Sequence, residues 1–297
     1  MTAAGTVEKI ALSADDGTEF TVRLLPGDPG TPIVLVLPAM GMKAKHYLPV
    51  AEALAATGLN AAVCDLRGQG DSRPILAEAD DFGYREMLEV DLPAIVGTLR
   101  DRFEGVPLYL FGHSLGGQLS LLYAASHPDE IAGIAVIGTG TVYWRAFDLL
   151  RRPIILAQTQ WIGAVSRLTG RWPGGVAIPA PMAGGVMIDW SLQALTGRYV
   201  VRDGTRRYND LLARMDRPVL AISLADDSLG PKSTVEYLLR RMPVAAISHW
   251  HLSGAAPVRA GDHFAWLKDS PALAVQVTAW VRAADGAGRE ERGTNGS

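Results

Sequence analysis

The run Gly112-His113-Ser114-Leu115-Gly116-Gly117 lies between an apolar stretch, Pro107–Phe111, and an Ala/Leu-rich stretch, Leu115–Ser126. A serine on a sharp strand-to-helix turn needs small neighbours, because the turn is strained and a second backbone passes close by. Gly112, Gly116 and Gly117 supply that room. In a chain with 32 glycines a lone G-x-S-x-G carries little weight, and the flanking patterns are what give it meaning. The turn would set the Ser114 hydroxyl at a helix N-terminus, where free N–H groups and the helix dipole favour developing negative charge. The plain alternative is a glycine-rich turn with no chemistry.

The rest of the chain fits a sheet around this turn. Short β-branched runs alternate with longer helical patterns, which predicts a mostly parallel eight-stranded sheet with helices on both faces. Asp16-Gly17 between Val7–Leu12 and Glu19–Leu25 reads as a hairpin. Ile33–Leu37, Ala61–Cys64, Pro107–Phe111, Ile131–Ile137, Pro218–Ser223 and Val244–Trp250 are the further expected strands. A helix is expected over Tyr84–Phe103, with Pro93 as a kink. From Gly140 to Leu212 the rhythm breaks, and the stretch holds four of the seven tryptophans, Trp144, Trp161, Trp172 and Trp190. It reads as an inserted, mostly helical lid. The expected organisation is a core of residues 1–139 and 213–284, a lid at 140–212, and a disordered polar tail at 285–297.

A serine hydroxyl is a weak nucleophile until a base takes its proton, and the base must be oriented by an acid. On such a sheet the chain order is serine, then Asp or Glu, then histidine. Asp226 and Asp227 both follow the strand Pro218–Ser223; Asp227, four residues before Pro231, has the strand-turn-Asp-x-x-x-Pro spacing of the acid turn. His263, in Gly261-Asp262-His263-Phe264 before the closing helix, is the expected base. His249 and His251 compete with it as strand-end residues, while His46 and His127 read as surface residues and His113 as pointing away from the nucleophile. One oxyanion donor should be the Leu115 N–H; the other should come from Pro38-Ala39-Met40-Gly41-Met42, with Met40 preferred and Ala39 the alternative.

These motifs together resemble the α/β-hydrolase superfamily over about Val7 to Ala284. The shared features are Gly-His-Ser-Leu-Gly-Gly, the run Asp65-x-Arg67-Gly68-x-Gly70-x-Ser72, the acid turn and Gly-x-His-Phe. Pro-Ala-Met-Gly, Gly185-Val-Met-x-Asp189-Trp190 and Gly-x-His-Phe are similar to a bacterial group of predicted hydrolases of unassigned substrate. The resemblance implies hydrolysis of an ester, thioester or amide with no cofactor or metal, and a structural role for Asp65–Ser72. Acyl transfer or carbon–carbon hydrolysis would use the same triad, and a non-catalytic ligand binder is the reading from another class. Enzymes of the fold that attack haloalkanes or epoxides carry Asp at the elbow, which Ser114 argues against.

Composition narrows the partners. A net charge of −3 with no basic stripe disfavours nucleic acid. The single cysteine, Cys64, makes no internal disulfide and no Cys-x-x-Cys zinc pair. The start MTAAGTVEKI lacks the charged and apolar regions of a secretory signal, and Ile33–Leu37 is far short of a membrane span. A cytoplasmic location and a small-molecule substrate are the expectations. Phe147, Met182, Met187 and the lid tryptophans suggest an apolar acyl or ring group in that substrate, although the same residues would serve to pack a lid. The oligomeric state is left open.

Overall fold

The computed structural model describes residues 7–79, 81–175, 177–253 and 262–294, with side chains as far as 288 in the last helix. Continuous apolar runs make the central strands, as expected of strands covered on both faces. The eight-stranded sheet comprises β1 (Glu8–Ser13), β2 (Glu19–Leu25), β3 (Ile33–Leu37), β4 (Asn60–Cys64), β5 (Leu108–His113), β6 (Gly133–Ile137), β9 (Val219–Leu224) and β10 (Ile247–Leu252). β7 (Arg171–Trp172) and β8 (Met182–Ala183) form a separate short antiparallel ribbon. The sheet order is β1-β2-β4-β3-β5-β6-β9-β10. Pairing is parallel from β4 through β10, and β2 runs antiparallel to both its neighbours. The sequence expectation of a mostly parallel sheet of eight strands is met.

The helices cover both faces. α1 (Leu48–Ala56) and α9 (Ser270–Thr294) pack on one side, where Leu54, Val63, Phe111, Ile222, Trp266 and Val277 share a core. On the other side lie α2 (Tyr84–Glu86), α3 (Leu92–Arg102), α4 (Leu115–Ser126) and α8 (Lys232–Leu239). α2 passes into α3 through a π-helical turn, Met87–Asp91, directly before Pro93. Pro93 stands in the first turn of α3, where a residue without an N–H is tolerated.

Two boundaries depart clearly from the sequence expectation. The tail at 285–297 was expected to be disordered, but α9 continues through it to Thr294, with 295–297 outside the described residues. Ala284, Ala287 and Arg289 to Arg292 are good helix formers, and a helix already packed through Val277 and Val281 extends easily over them. The last strand begins at Ile247, three residues later than expected, because Met242 to Ala245 are used in a turn that leads out of α8. Between β6 and β9 lie α5 (Arg152–Thr169), the β7–β8 ribbon, α6 (Gly184–Thr196) and α7 (Tyr208–Leu212). α5 and α6 pack on each other, whereas α7 packs on α4.

The segment Gly185 to Asp189 ties α6 to the core. The Gly185 N–H donates to Asp81 Oδ1 at 2.8 Å, and a Cβ at Gly185 would stand 2.3 Å from the Phe82 carbonyl oxygen. Asp189, buried, accepts from the Tyr84 N–H at 3.0 Å and from Arg202 Nε at 2.9 Å. Burial raises the Asp189 pKa above its ordinary value, and these donors act against that rise. Asp189→Ala should therefore leave the buried Tyr84 N–H unpaired and cost about 2–4 kcal/mol. The check is thermal melting, with a fall of several degrees expected and a smaller loss for Asp189→Asn.

Candidate active site

The elbow at Ser114 follows from close packing of β5, α4 and β3. Added Cβ atoms at Gly112 and Gly116 would stand 2.3 Å from Gly117 Cα and from the Leu37 carbonyl oxygen, respectively. No side chain fits between these backbones. Ser114 takes up the turn with φ 52° and ψ −114°, a region L-residues rarely enter. Its N–H donates to the Ile137 carbonyl at 3.1 Å, which ties the turn to β6.

Asp227 lies just past β9 and is buried; Asp226 beside it is exposed. The Leu229 and Gly230 N–H groups donate to Asp227 Oδ1 at 2.9 and 2.7 Å. Its other oxygen, Oδ2, lies 2.7 Å from His263 Nδ1. An ionised carboxylate only accepts, so His263 Nδ1 is the donor in this contact. Gly138, with φ 54°, backs the pair: a Cβ there would stand 3.2 Å from Asp227 Oδ2 and from His263 Cε1. Asp262 caps the turn that follows through its bonds to the Phe264 and Ala265 N–H groups, and Gly261 lies outside the described residues.

Ser114, Leu115, Met40 and His263 line one cavity of about 420 Å³. Its wall is completed by Phe147, Ile155 and Trp190 from the segment between β6 and β9, and by Leu229 and Phe264 from the core loops. Of the residues expected near the substrate, Trp190 and Phe147 line this cavity. Trp144 is not among its lining residues and stands against Tyr143 and Arg145, while Met182 and Met187 are buried in the core. His249 and His251 both hydrogen-bond Ser223 Oγ at 2.9 Å, a side-chain arrangement on neighbouring strands away from Ser114. His46 is exposed, whereas His127 is half-buried and stacked on Tyr123 at 4.3 Å. Among the described residues no group of three or more His, Cys, Asp and Glu is placed to hold a metal ion.

The loop after β3 narrows the choice of second N–H donor. The Ala39 N–H is already spent on Tyr47 Oη at 2.9 Å. Met40 lines the cavity beside Leu115, the first residue of α4.

Residues 29–175 match a family model described as serine aminopeptidase, S33. Monoglyceride lipase of Rattus norvegicus is 30% identical over 110 residues, which cover 36% of this chain and 35% of that protein. Monoglyceride lipase of Saccharomyces cerevisiae is 27% identical over 141 residues, 46% of this chain and 44% of that one. The matches thus span between a third and a half of these curated relatives. A thermophilic esterase from Thermogutta terrifontis superposes with a TM-score of 0.64 at 16% identity, over 93% of this chain and 99% of that one. DcsB in complex with its substrate analogue gives a TM-score of 0.64 at 17% identity, over 94% and 99%.

The chain has the α/β-hydrolase fold, and residues 29–175 are similar to this family model. The Asp65–Ser72 turn shared with the superfamily is structural here: buried Asp65 accepts from the Ala44 N–H at 2.6 Å and the Asp71 N–H at 3.0 Å. Asp227 and His263 lie beyond the residues of the family match, so their place in the site rests on geometry.

Two residues under the site carried no sequence signal. Tyr47 Oη, which takes the Ala39 N–H, also lies 2.6 Å from His113 Nδ1. Fully buried Trp266 donates from Nε1 to the His263 carbonyl at 3.1 Å and stands edge-on to His113 at 5.1 Å. His113 is fully buried and does not line the cavity, and its ring centroid is 4.7 Å from that of His263. Burial pushes the His113 pKa well below the ordinary value, so the ring is neutral beneath His263. Isolated aromatic residues in a sequence read as core, and only the fold brings these together.

The strain at Ser114 yields a test that needs no substrate. Replacing Ser114 by Gly removes the Cβ penalty of about 1–3 kcal/mol and adds unfolded-state entropy of roughly 0.5–1 kcal/mol. Ser114→Gly should be about 0–2.5 kcal/mol more stable than the wild type by chemical denaturation, and lower stability would contradict a strained elbow.

Proposed function

We propose that this chain is a serine hydrolase that cleaves a carboxylic ester or thioester through an acyl-enzyme on Ser114. The observation that carries the reading is the buried Asp227–His263 pair, 2.7 Å apart, in a histidine that lines the same cavity as the strained Ser114. His263 Nε2 accepts the Ser114 proton as Oγ attacks the carbonyl carbon, and Asp227 holds the tautomer and stabilises the imidazolium. The Leu115 and Met40 N–H groups take the developing oxyanion. His263 then gives the proton to the leaving alcohol or thiol. Water, deprotonated by His263, attacks the acyl carbonyl and frees Ser114 with release of the acid.

The names of the relatives, monoglyceride lipases and an esterase, support an ester as the substrate. The lining by Phe147, Ile155 and Trp190 supports an apolar acyl or ring group. No helix among the described residues is long and apolar enough to cross a membrane, and a small molecule is the partner this cavity suits. We place the lid function in the segment at 140–212, which supplies those three side chains.

Ser114→Ala should lose fluorophosphonate labelling and about six powers of ten in ester turnover, while retaining its fold. Asp227→Asn should lose about four powers of ten and Asp226→Asn much less; the reverse order would move the acid to Asp226. Trp190→Ala should raise KM for long-chain esters about tenfold, since roughly 1.4 kcal/mol of apolar contact is lost, with little change for acetate esters. A fall in melting temperature with an unchanged chain-length profile would make Trp190 a packing residue.

A further inference from the structure

The outer face of α5 is apolar from end to end. Ile154, Ala157, Trp161, Ala164 and Leu168 recur at intervals of three and four residues, which stacks them along one side of the helix, and Leu150 stands in the turn before it. They face solvent: Leu150 is 86% exposed, Ile154 56%, Trp161 66% and Leu168 87%. The opposite face, with Thr159, Ile162, Gly163 and Ser166, is buried. From Pro153 to Ser166 there is no charged residue, although a solvent-facing helix ordinarily carries its charges on such a face. A contiguous exposed apolar stripe of this kind marks an interaction surface.

Charge identifies the occupant. Residues 145–171 hold five arginines and one acid, Asp148, within a chain of net charge −3. Arg145, Arg151 and Arg152 stand at one end of the stripe, and Arg167 and Arg171 at the other. Arg151 and Arg152 donate to the carbonyls of Ser228 and Phe147, so these bonds leave their charge unneutralised. Tryptophan and aliphatic side chains on one face with arginines around them form the pattern of a helix lying in a lipid interface. Two-fold packing of this helix against a second copy would set arginine ends against arginine ends, which disfavours self-association. Leu229, 51% exposed, and Phe264, 38% exposed, line the cavity, and Arg151 at the start of the helix reaches the Ser228 carbonyl beside Leu229.

We propose that the exposed face of α5 docks this chain onto an anionic lipid surface. The helix lies in the plane of the interface with Leu150, Ile154, Trp161 and Leu168 among the acyl chains and its arginines at the headgroups. Ile155 and Gln158 on the neighbouring side of the same helix line the cavity, so docking would bring its mouth to the lipid. The inference does not depend on the hydrolytic reading, because the anchoring residues Leu150, Ile154, Trp161 and Leu168 are not among those lining the cavity.

The test is co-sedimentation of the full chain with sucrose-loaded vesicles of phosphatidylcholine alone and of phosphatidylcholine with phosphatidylglycerol. The wild type and Ser114→Ala should partition equally well onto the anionic vesicles, and more weakly onto phosphatidylcholine or at high salt. The double variant Trp161→Glu with Leu168→Glu should bind at least tenfold more weakly, in line with interfacial anchoring by buried apolar area, with an unchanged melting temperature and unchanged turnover of a water-soluble acetate ester. Arg167→Glu with Arg171→Glu should lose binding to the anionic vesicles specifically. The proposal is overturned if the wild type binds neither vesicle, if it binds both equally, or if the Trp161/Leu168 double variant binds like the wild type. It is also overturned if light scattering finds a wild-type dimer that this variant turns into a monomer, since the stripe would then join two copies.

Discussion

Three backbones meet at the elbow, and the site depends on how closely they approach. The Gly112 Cα faces Gly117, and Gly116 lies against the carbonyls of Leu37 and Pro38, at distances that exclude a Cβ. That contact sets the first turn of α4 against the end of β3. Ser114, Leu115 and the loop 39–42 line one cavity beside it. A protein interior is packed like a crystal, so a single methyl group here would shift either the strand or the helix. Strain at Ser114 is the consequence, stored in the turn and held by the surrounding sheet.

Beneath the cavity, polar groups are joined in a chain. Ala39, Tyr47 and His113 are linked by hydrogen bonds, and the His113 ring lies against His263 and Trp266. The loop that carries Met40 and the histidine that faces Asp227 thus rest on one buried floor. In a low-dielectric interior each such bond is strong and each unpaired group is costly, so the floor has few alternative arrangements. A neutral His113 is suited to this place, because a second positive ring 4.7 Å from His263 would oppose an imidazolium there.

The sheet was legible from sequence because buried parallel strands are written as continuous apolar runs, and Ile33–Leu37 and Leu115–Ser126 appear in the structure with the bounds read from the sequence. Ser114, Asp227 and His263 stood out as candidates because each lies at a turn with its own local pattern. Spacing alone left Asp226 open; the structure buries Asp227 beside His263 Nδ1 and leaves Asp226 exposed. Tyr47 and Trp266 were not legible, since their partners are distant in sequence and an aromatic residue in a helical pattern looks like core. The helical end of the chain was missed because Gly286 and Gly288 lower local propensity, while docking of the earlier turns carries the helix through them. The polar composition of 285–297 was a weaker guide than the packing that precedes it.

An acyl group covalently held by Ser114 is the species on which this account turns. Protein quenched in acid during turnover of a slowly deacylating p-nitrophenyl ester, then digested with trypsin, can be examined by mass spectrometry. The account predicts one added acyl mass on the peptide 103–145, localised to Ser114 by fragmentation. An acyl group on another residue, or turnover with no acylated peptide at any quench time, would contradict it.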